Sequence, residues 1–257
     1  TRQKCHTSYQ LVPGTQGPAV FVFNNAEADE PHRFINGSKE KGCQGKMDYQ
    51  GTVIRPPSEA NSIILQVTRG CSHNKCTFCG TYKGVRFQLK DTAVIDKDIR
   101  LAARHCRRQR RVFLADGDAL IMPQTRLLSL LDAIRTHLPW VTRVGIYANA
   151  KSIRTKTDEE LRTLRDHGLG IVYMGLESGD DTTLTRIRKG VRADTLVKMG
   201  QRAMAAGMKL SVTVLLGIAG ADRSQIHAET TGAALTRMDP TYVGALSLML
   251  LPNTPLG

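Results

Sequence analysis

Six cysteines are spread over 257 residues, and three of them, Cys71, Cys76 and Cys79, fall within nine positions. Three thiolates this close together either face one centre or stay as costly unpaired nucleophiles. Soft sulfur ligands select zinc or an iron–sulfur cluster. A closed zinc site needs a fourth ligand; His73 or Cys106 could supply it, but neither gives a paired-knuckle spacing. An iron–sulfur cube held by three cysteines leaves one iron without a protein ligand, and that iron can chelate a small molecule through its amine and carboxylate. The residues themselves leave both readings open. Cys5, Cys43 and Cys106 are scattered and read as free thiols, too few for a disulfide framework. A thiol cluster suits a reducing compartment, here the cytoplasm.

Hydrophobic periodicity shows which elements must position these cysteines. From Ser62 onward, short apolar runs suited to buried parallel strands occur at Ile63–Thr68, Val112–Ala115, Val144–Ala148, Ile171–Leu176, Leu210–Leu216 and Val243–Leu251. Amphipathic helical patterns fill the gaps at Val94–Cys106, Thr125–Leu138, Thr157–His167, Ala193–Ala206 and Ser224–Met238. Thr157 to Glu160 has the form of a capping box, and Gly168 and Gly207 suit helix C-terminal caps. Six strands with five intervening helices mean a parallel sheet with right-handed crossovers, two units short of an eight-fold barrel. The expected fold is α/β, a partial (β/α)6 barrel open on one side. Such sheets gather ligands at the carboxyl ends of their strands, and the cysteine motif follows the first strand directly.

Other polar residues fall at strand ends. Asp116-Gly117-Asp118 follows the second strand, Asn149 the third, and Gly175-Leu176-Glu177-Ser178-Gly179 the fourth. A glutamate ending an apolar strand is hard to explain by packing, because carboxylates are rarely buried unpaired. Ser211 lies on the fifth strand, with Gly217-Ile218-Ala219-Gly220 after it, while Phe78 and Tyr82 flank Cys79. Plain turns and ordinary core aromatics are the competing explanations for several of these.

Composition sets outer bounds. A formal charge of +13 and a pI near 9.7 fit an anionic partner, either nucleic acid or an anionic substrate, or an Arg-rich solvated face. The densest stretch is Arg100, Arg104, Arg107, Arg108, Arg110 and Arg111, several of them at helical spacing, without interleaved aromatics to stack bases. That favours the solvated face. No apolar run approaches the roughly 18 residues of a membrane span, so no membrane partner is expected; no signal-peptide pattern opens the chain. Residues 1–46 are rich in Gly, Asn, Pro, Gln and Lys with one apolar run, Ala19–Phe23. They read as a poorly ordered N-terminal extension carrying one strand, ahead of a core at 47–257.

The motif Cys71-Ser72-His73-Asn74-Lys75-Cys76-Thr77-Phe78-Cys79, with its aromatic before the last cysteine and the strand–helix alternation behind it, resembles the radical S-adenosylmethionine superfamily. The resemblance runs from about Met47 to the C-terminus, in the manner of its iron–sulfur oxidoreductase-like group of uncertain substrate. Four residues then two separate the cysteines, where three then two is commonest. The resemblance implies a [4Fe-4S] cluster on Cys71, Cys76 and Cys79 that reductively cleaves S-adenosyl-L-methionine. The electron would come from an external low-potential donor of the flavodoxin or ferredoxin type. The resulting 5′-deoxyadenosyl radical would abstract hydrogen from an unidentified substrate. It further implies that Gly117 and Asp118, at the family's Gly-Gly-Glu position, meet the cofactor's amino group. Asn149 would meet the ribose or substrate, Glu177 with Ser178 the ribose hydroxyls or amino end, and Ser211 the carboxylate. Phe78 would shield the cluster near adenine, with Tyr82 beside it. Met47 is then expected near the natural start, and a further segment beyond Gly257 is expected to close the barrel mouth. The rival readings are a zinc-stabilised nucleic-acid-binding protein and a simple electron carrier on the same fold.

Overall fold

The computed structural model describes residues 10–11, 19–23 and 47–257. Its core is a parallel sheet whose six central strands are β3 (Ile63–Gln66), β6 (Arg111–Ala115), β7 (Arg143–Tyr147), β8 (Leu169–Glu177), β9 (Lys209–Leu216) and β10 (Tyr242–Ser247). They follow one another in this spatial order, each parallel to the next. This is the open six-stranded barrel expected from the apolar runs. Ala19–Phe23, the one apolar run of the N-terminal segment, forms β2 and extends the sheet parallel to β10; β1 (Gln10–Leu11) pairs antiparallel with β2.

The helices that cross between strands are α1 (Thr92–His105), α2 (Gln124–His137), α4 (Asp158–Asp166), α6 (Ala193–Ala205) and α7 (Ser224–Met238). Their punctuation follows local chemistry. Thr157 and Glu160 form the anticipated capping box, with Glu160 N donating to Thr157 Oγ1 at 3.1 Å and Thr157 N donating to Glu160 Oε2 at 2.7 Å. Gly168 follows α4 at φ +103°, a left-handed conformation that costs other residues a steric penalty. Two helices are too short for periodicity to reveal: α3 (Ala150–Arg154) and α5 (Asp181–Arg186).

Alternation along the strands divides the apolar residues between two faces. Leu65, Leu114, Ile146, Val172 and Val212 join the large cluster between sheet and helices. Ile64, Phe113, Ala115, Ile171 and Tyr173 form a smaller cluster inside the barrel. There Phe113 meets Tyr147 and Tyr173 edge-to-face, at centroid distances of 4.9 and 5.6 Å. The amino end of the barrel is plugged by Glu59, fully buried and accepting hydrogen bonds from Tyr173, Arg143 and Ser62.

Four local expectations change. The last strand stops at Ser247, four residues short of the expected Leu251. The first strand stops at Gln66, and Thr68–Arg69 (β4) instead pairs antiparallel with Gln88–Leu89 (β5). Of the arginine-rich stretch, only Arg100 and Arg104 lie on α1. Arg107, Arg108 and Arg110 occupy the connection to β6, where the Arg107 guanidinium stacks 4.4 Å above the Trp140 ring. Cys106, expected as a free thiol, is disulfide-bonded; Cys5 and Cys43 lie outside the described residues. Among the described residues no helix is long and apolar enough to cross a membrane.

Candidate active site

Between β4 and β5 the chain makes an excursion, Gly70 to Phe87, which carries all three clustered cysteines at the carboxyl end of the sheet. The two-stranded ribbon stitches its base, and residues at the end of β6 pin it from below. Asp116, buried and at φ +86°, accepts hydrogen bonds from Gln66 Nε2 at 3.1 Å, Gly70 N at 3.0 Å and the Tyr82 hydroxyl at 3.3 Å. One carboxylate thereby ties a strand end to both sides of the cysteine loop, while burial pushes its pKa up to about 6. Gly117 N donates to Gly70 O at 3.2 Å. A Cβ on Gly117 would come within 2.6 Å of Cys71 Cβ and 2.8 Å of the Tyr82 ring, so only glycine allows this approach. Asp118 is fully buried and accepts from the Ser72 hydroxyl, from Asn149 N at 3.1 Å and from Asn149 Nδ2 at 2.7 Å. Asn149 Oδ1 in turn caps α3 through Ser152 N at 2.9 Å.

The opposite wall comes from β8. A bulge between Gly175 and Glu177 shifts the β8–β9 register and re-aims the strand end; Glu177 follows at φ +62°. Its carboxylate pairs with Lys189 Nζ at 2.8 Å, both side chains being largely shielded from solvent. Lys189 stands in the turn after α5, which two hydrogen bonds fasten to the cysteine loop. Thr77 N donates to Ile187 O at 2.9 Å, and His73 Nε2 donates to Arg188 O at 2.8 Å.

The three thiols are partly exposed and lie within one electrostatic field. Burial pushes Cys76 up to about 11, with Lys189 pulling it down and Glu177, Cys79 and Cys71 adding to the rise. Burial also raises Cys71, while the backbone amides of Asn74 and His73 lower it and Asp118 and Cys79 push it further up. Among the described residues no three His, Cys, Asp or Glu side chains converge as ligands of a single ion. An iron–sulfur cube takes its ligands on separate irons, so convergence on one point is not what it requires. Three soft sulfurs that repel one another when ionised, beside one shielded ammonium, fit such a group by their chemistry.

The family model of the Radical SAM superfamily matches residues 65–228, from β3 into α7. The chain belongs to the radical SAM superfamily. Radical SAM proteins use a [4Fe-4S] cluster and S-adenosylmethionine, and these are the cofactors of this chain. Solved structures with the same fold include the cobalamin-dependent S-adenosylmethionine radical enzyme OxsB, at 16% identity and TM-score 0.60 over 75% of this chain and 34% of that one. Methylornithine synthase (PylB) follows at 16% identity and TM-score 0.57, over 76% and 57% of the two chains. Coproporphyrinogen III oxidase (HemN) from Escherichia coli gives 12% identity and TM-score 0.56 over 76% and 45%. This chain spans about a third of OxsB and little more than half of PylB. No curated protein matches the sequence.

Within this radical SAM barrel, Cys71, Cys76, Cys79, Tyr82, Gly117, Asp118, Asn149 and Glu177 come together at the strand ends. Phe78 is half-buried on the same loop and packs against the main core. Two expected site residues stand elsewhere. Ser178 turns into the protein, its hydroxyl 2.8 Å from His227 Nδ1 and accepting from Asp180 N at 3.0 Å. Ser211 is in register with Tyr173 and Tyr242, five residues before the end of β9 and away from the rim. Lys189 carries no site signal in the sequence, while Asp116 and Ser72 are visible there only as members of the strand-end turn and of the cysteine motif. Lys189 sits in a run of basic residues that reads as a solvated face, and only the Glu177 pairing sets it apart.

Proposed function

We propose that Cys71, Cys76 and Cys79 hold the [4Fe-4S] cluster of a radical SAM enzyme that abstracts hydrogen from a substrate still to be identified. The observation that carries this reading is the meeting of three thiols and the Glu177–Lys189 pair on one loop face at the carboxyl end of the sheet. When bound, the cluster and S-adenosylmethionine would supply a 5′-deoxyadenosyl radical.

The chain's own residues bind and orient. Lys189 favours the Cys76 thiolate, and Gly117 keeps backbone rather than side chain against Cys71. Glu177 offers the carboxylate for the ribose or amino end of the cofactor, with Lys189 available for an anionic group. Phe78 and Tyr82 would screen the cluster from water. Asp118 and Asn149 act through Ser72, and Ser178 holds the Glu177 turn onto α7. Ser211 lines the barrel interior, where a substrate could reach it. Residues 47–257 form the catalytic unit, with β2 extending its sheet. An external low-potential donor of the flavodoxin or ferredoxin type supplies the electron, and the thiol site calls for the reducing cytoplasm. A zinc-stabilised nucleic-acid-binding protein is not favoured by the family match.

Anaerobically reconstituted protein should hold about four irons and four sulfides per chain and absorb near 400 nm. With dithionite it should release 5′-deoxyadenosine from S-adenosylmethionine. Cys76→Ala should lose both properties; a variant that still cleaved the cofactor would overturn the assignment.

A further inference from the structure

The faces that α1 and α2 turn toward each other carry more polar chemistry than a helix seam needs. On α1, Thr92 and Asp96 stand one turn apart with Ile95 beside them. On α2, Thr125, Ser129 and Ala133 follow one another at i, i+4 spacing, with Arg126 and Leu130 next to that row. These side chains and Met122 line one cleft of about 350 Å³, at the small end of the range for ligand pockets. Its floor is apolar. Ile95, Met122 and Leu130 are buried and belong to the cluster between sheet and helices, so the cleft opens on the outer layer, away from the barrel interior.

The walls hold one unpaired charge of each sign. Among the described residues the Asp96 carboxylate has neither an ion pair nor a hydrogen bond, whereas Asp98 on the same helix meets Lys90. Arg126 meets no carboxylate either. Its Nη2 donates to Lys90 O, while its Nε–H is shut off from solvent without an acceptor. A buried donor left unmet costs free energy until something accepts from it. Asp96 and Arg126 line the same cleft, yet they do not pair with each other.

That set of groups selects a ligand. A phosphate or other plain anion suits Arg126 and is repelled by Asp96; a plain cation meets the reverse. A molecule bearing both charges on a hydrocarbon body satisfies Arg126 through its carboxylate and Asp96 through its ammonium, and buries its body on Ile95, Met122 and Leu130. Thr92, Thr125 and Ser129 add exposed hydroxyls at the rim. Apolar amino acids are the smallest molecules of this kind, as a cleft of this size requires.

We propose that the cleft between α1 and α2 binds an apolar α-amino acid, at a site separate from the thiols and independent of what they hold. Titration calorimetry of the reconstituted full chain with L-leucine, L-methionine and L-phenylalanine, without S-adenosylmethionine or reductant, reads the site directly. At least one of the three should bind saturably. For that amino acid, Asp96→Asn and Arg126→Gln should each weaken affinity about tenfold. Analogues then assign the charges. The amino acid amide, which lacks the carboxylate, should bind Arg126→Gln no more weakly than wild type. The N-acetyl derivative, which lacks the ammonium, should bind Asp96→Asn no more weakly than wild type. Arg126 also braces Lys90 O, so Asp96→Asn, whose side chain supports nothing else among the described residues, decides the matter if Arg126→Gln fails to fold. Absence of saturable binding by all three amino acids would overturn the site, as would an affinity that Asp96→Asn leaves unchanged.

Discussion

At the scale of single residues, the site is governed by which charges share a shielded space. Glu177 and Lys189 act on Cys76 in opposite directions, and the pair leaves the thiol near 11 because burial outweighs both. Removing either partner should therefore move the thiol predictably. In the apoprotein at pH 9, Glu177→Gln should speed alkylation of Cys76 roughly threefold, and Lys189→Met should slow it by a similar factor. Peptide mass analysis after timed iodoacetamide labelling checks this; changes of the same sign would mean that the two side chains do not act through charge. Asp116 teaches a related lesson. The Asp116-Gly117-Asp118 turn is expected to offer a carboxylate to the cofactor, yet both aspartates are buried and spend their oxygens on the chain around them, Asp116 on Gln66 and Gly70 and Asp118 on Ser72 and Asn149.

Among the elements, the connection from β8 into α5 has the most to hold in place. Asp180 caps α5 through Thr182 N at 3.2 Å and Thr183 N at 3.0 Å, and receives Arg223 through two nitrogens at 2.8 and 2.9 Å. Those bonds fasten the Glu177 turn to the start of α7. Asp180→Ala should cost about 2 kcal/mol, combining a lost cap with a lost charge-assisted bond, read as a lower urea midpoint. The Arg223 guanidinium holds the Asp180 carboxyl well below the ordinary carboxylate range. A depressed carboxyl stabilises the fold above its unfolded pKa and loses that effect as pH falls. The gap between wild type and variant should thus be full at pH 7 and shrink below pH 4; a gap that grew in acid would contradict the ion pair.

For the whole molecule, stability and chemistry sit at opposite ends of one barrel. Glu59, Arg143 and Tyr173 close the amino end and Phe113 fills the middle, while the cysteine loop crowns the carboxyl end. Phe113→Ala should open a cavity under the site and cost about 3–5 kcal/mol, measurable by chemical denaturation of the apoprotein. A cost under about 1 kcal/mol would mean that Tyr147 and Tyr173 collapse into the space. The arginine-rich stretch enters β6 at its amino end, far along the strand from the cysteines, so its charge is not what an anionic substrate would meet at the site.

The sequence by itself determined the architecture and singled out the three clustered cysteines. Strand and helix periods reflect which faces are buried, and that information is local, so all six core strands and five long helices could be read within a few residues of their ends. The three cysteines were legible because rare residues at close spacing need no fold to be noticed. What only the tertiary structure decided is where polar groups point. Ser178 and Asp118 lie at strand ends as expected, yet Ser178 turns inward to His227, and Asp118 spends its carboxylate on Ser72 of the cysteine loop. Lys189 became a site residue only when a bulge at Gly175 and a turn tied to His73 brought it against Glu177. Partners far apart in sequence satisfy such groups, and the local pattern around each carries no trace of them. The cysteines of the opening pattern thus keep their place at the strand ends, now with the residues that hold their loop identified.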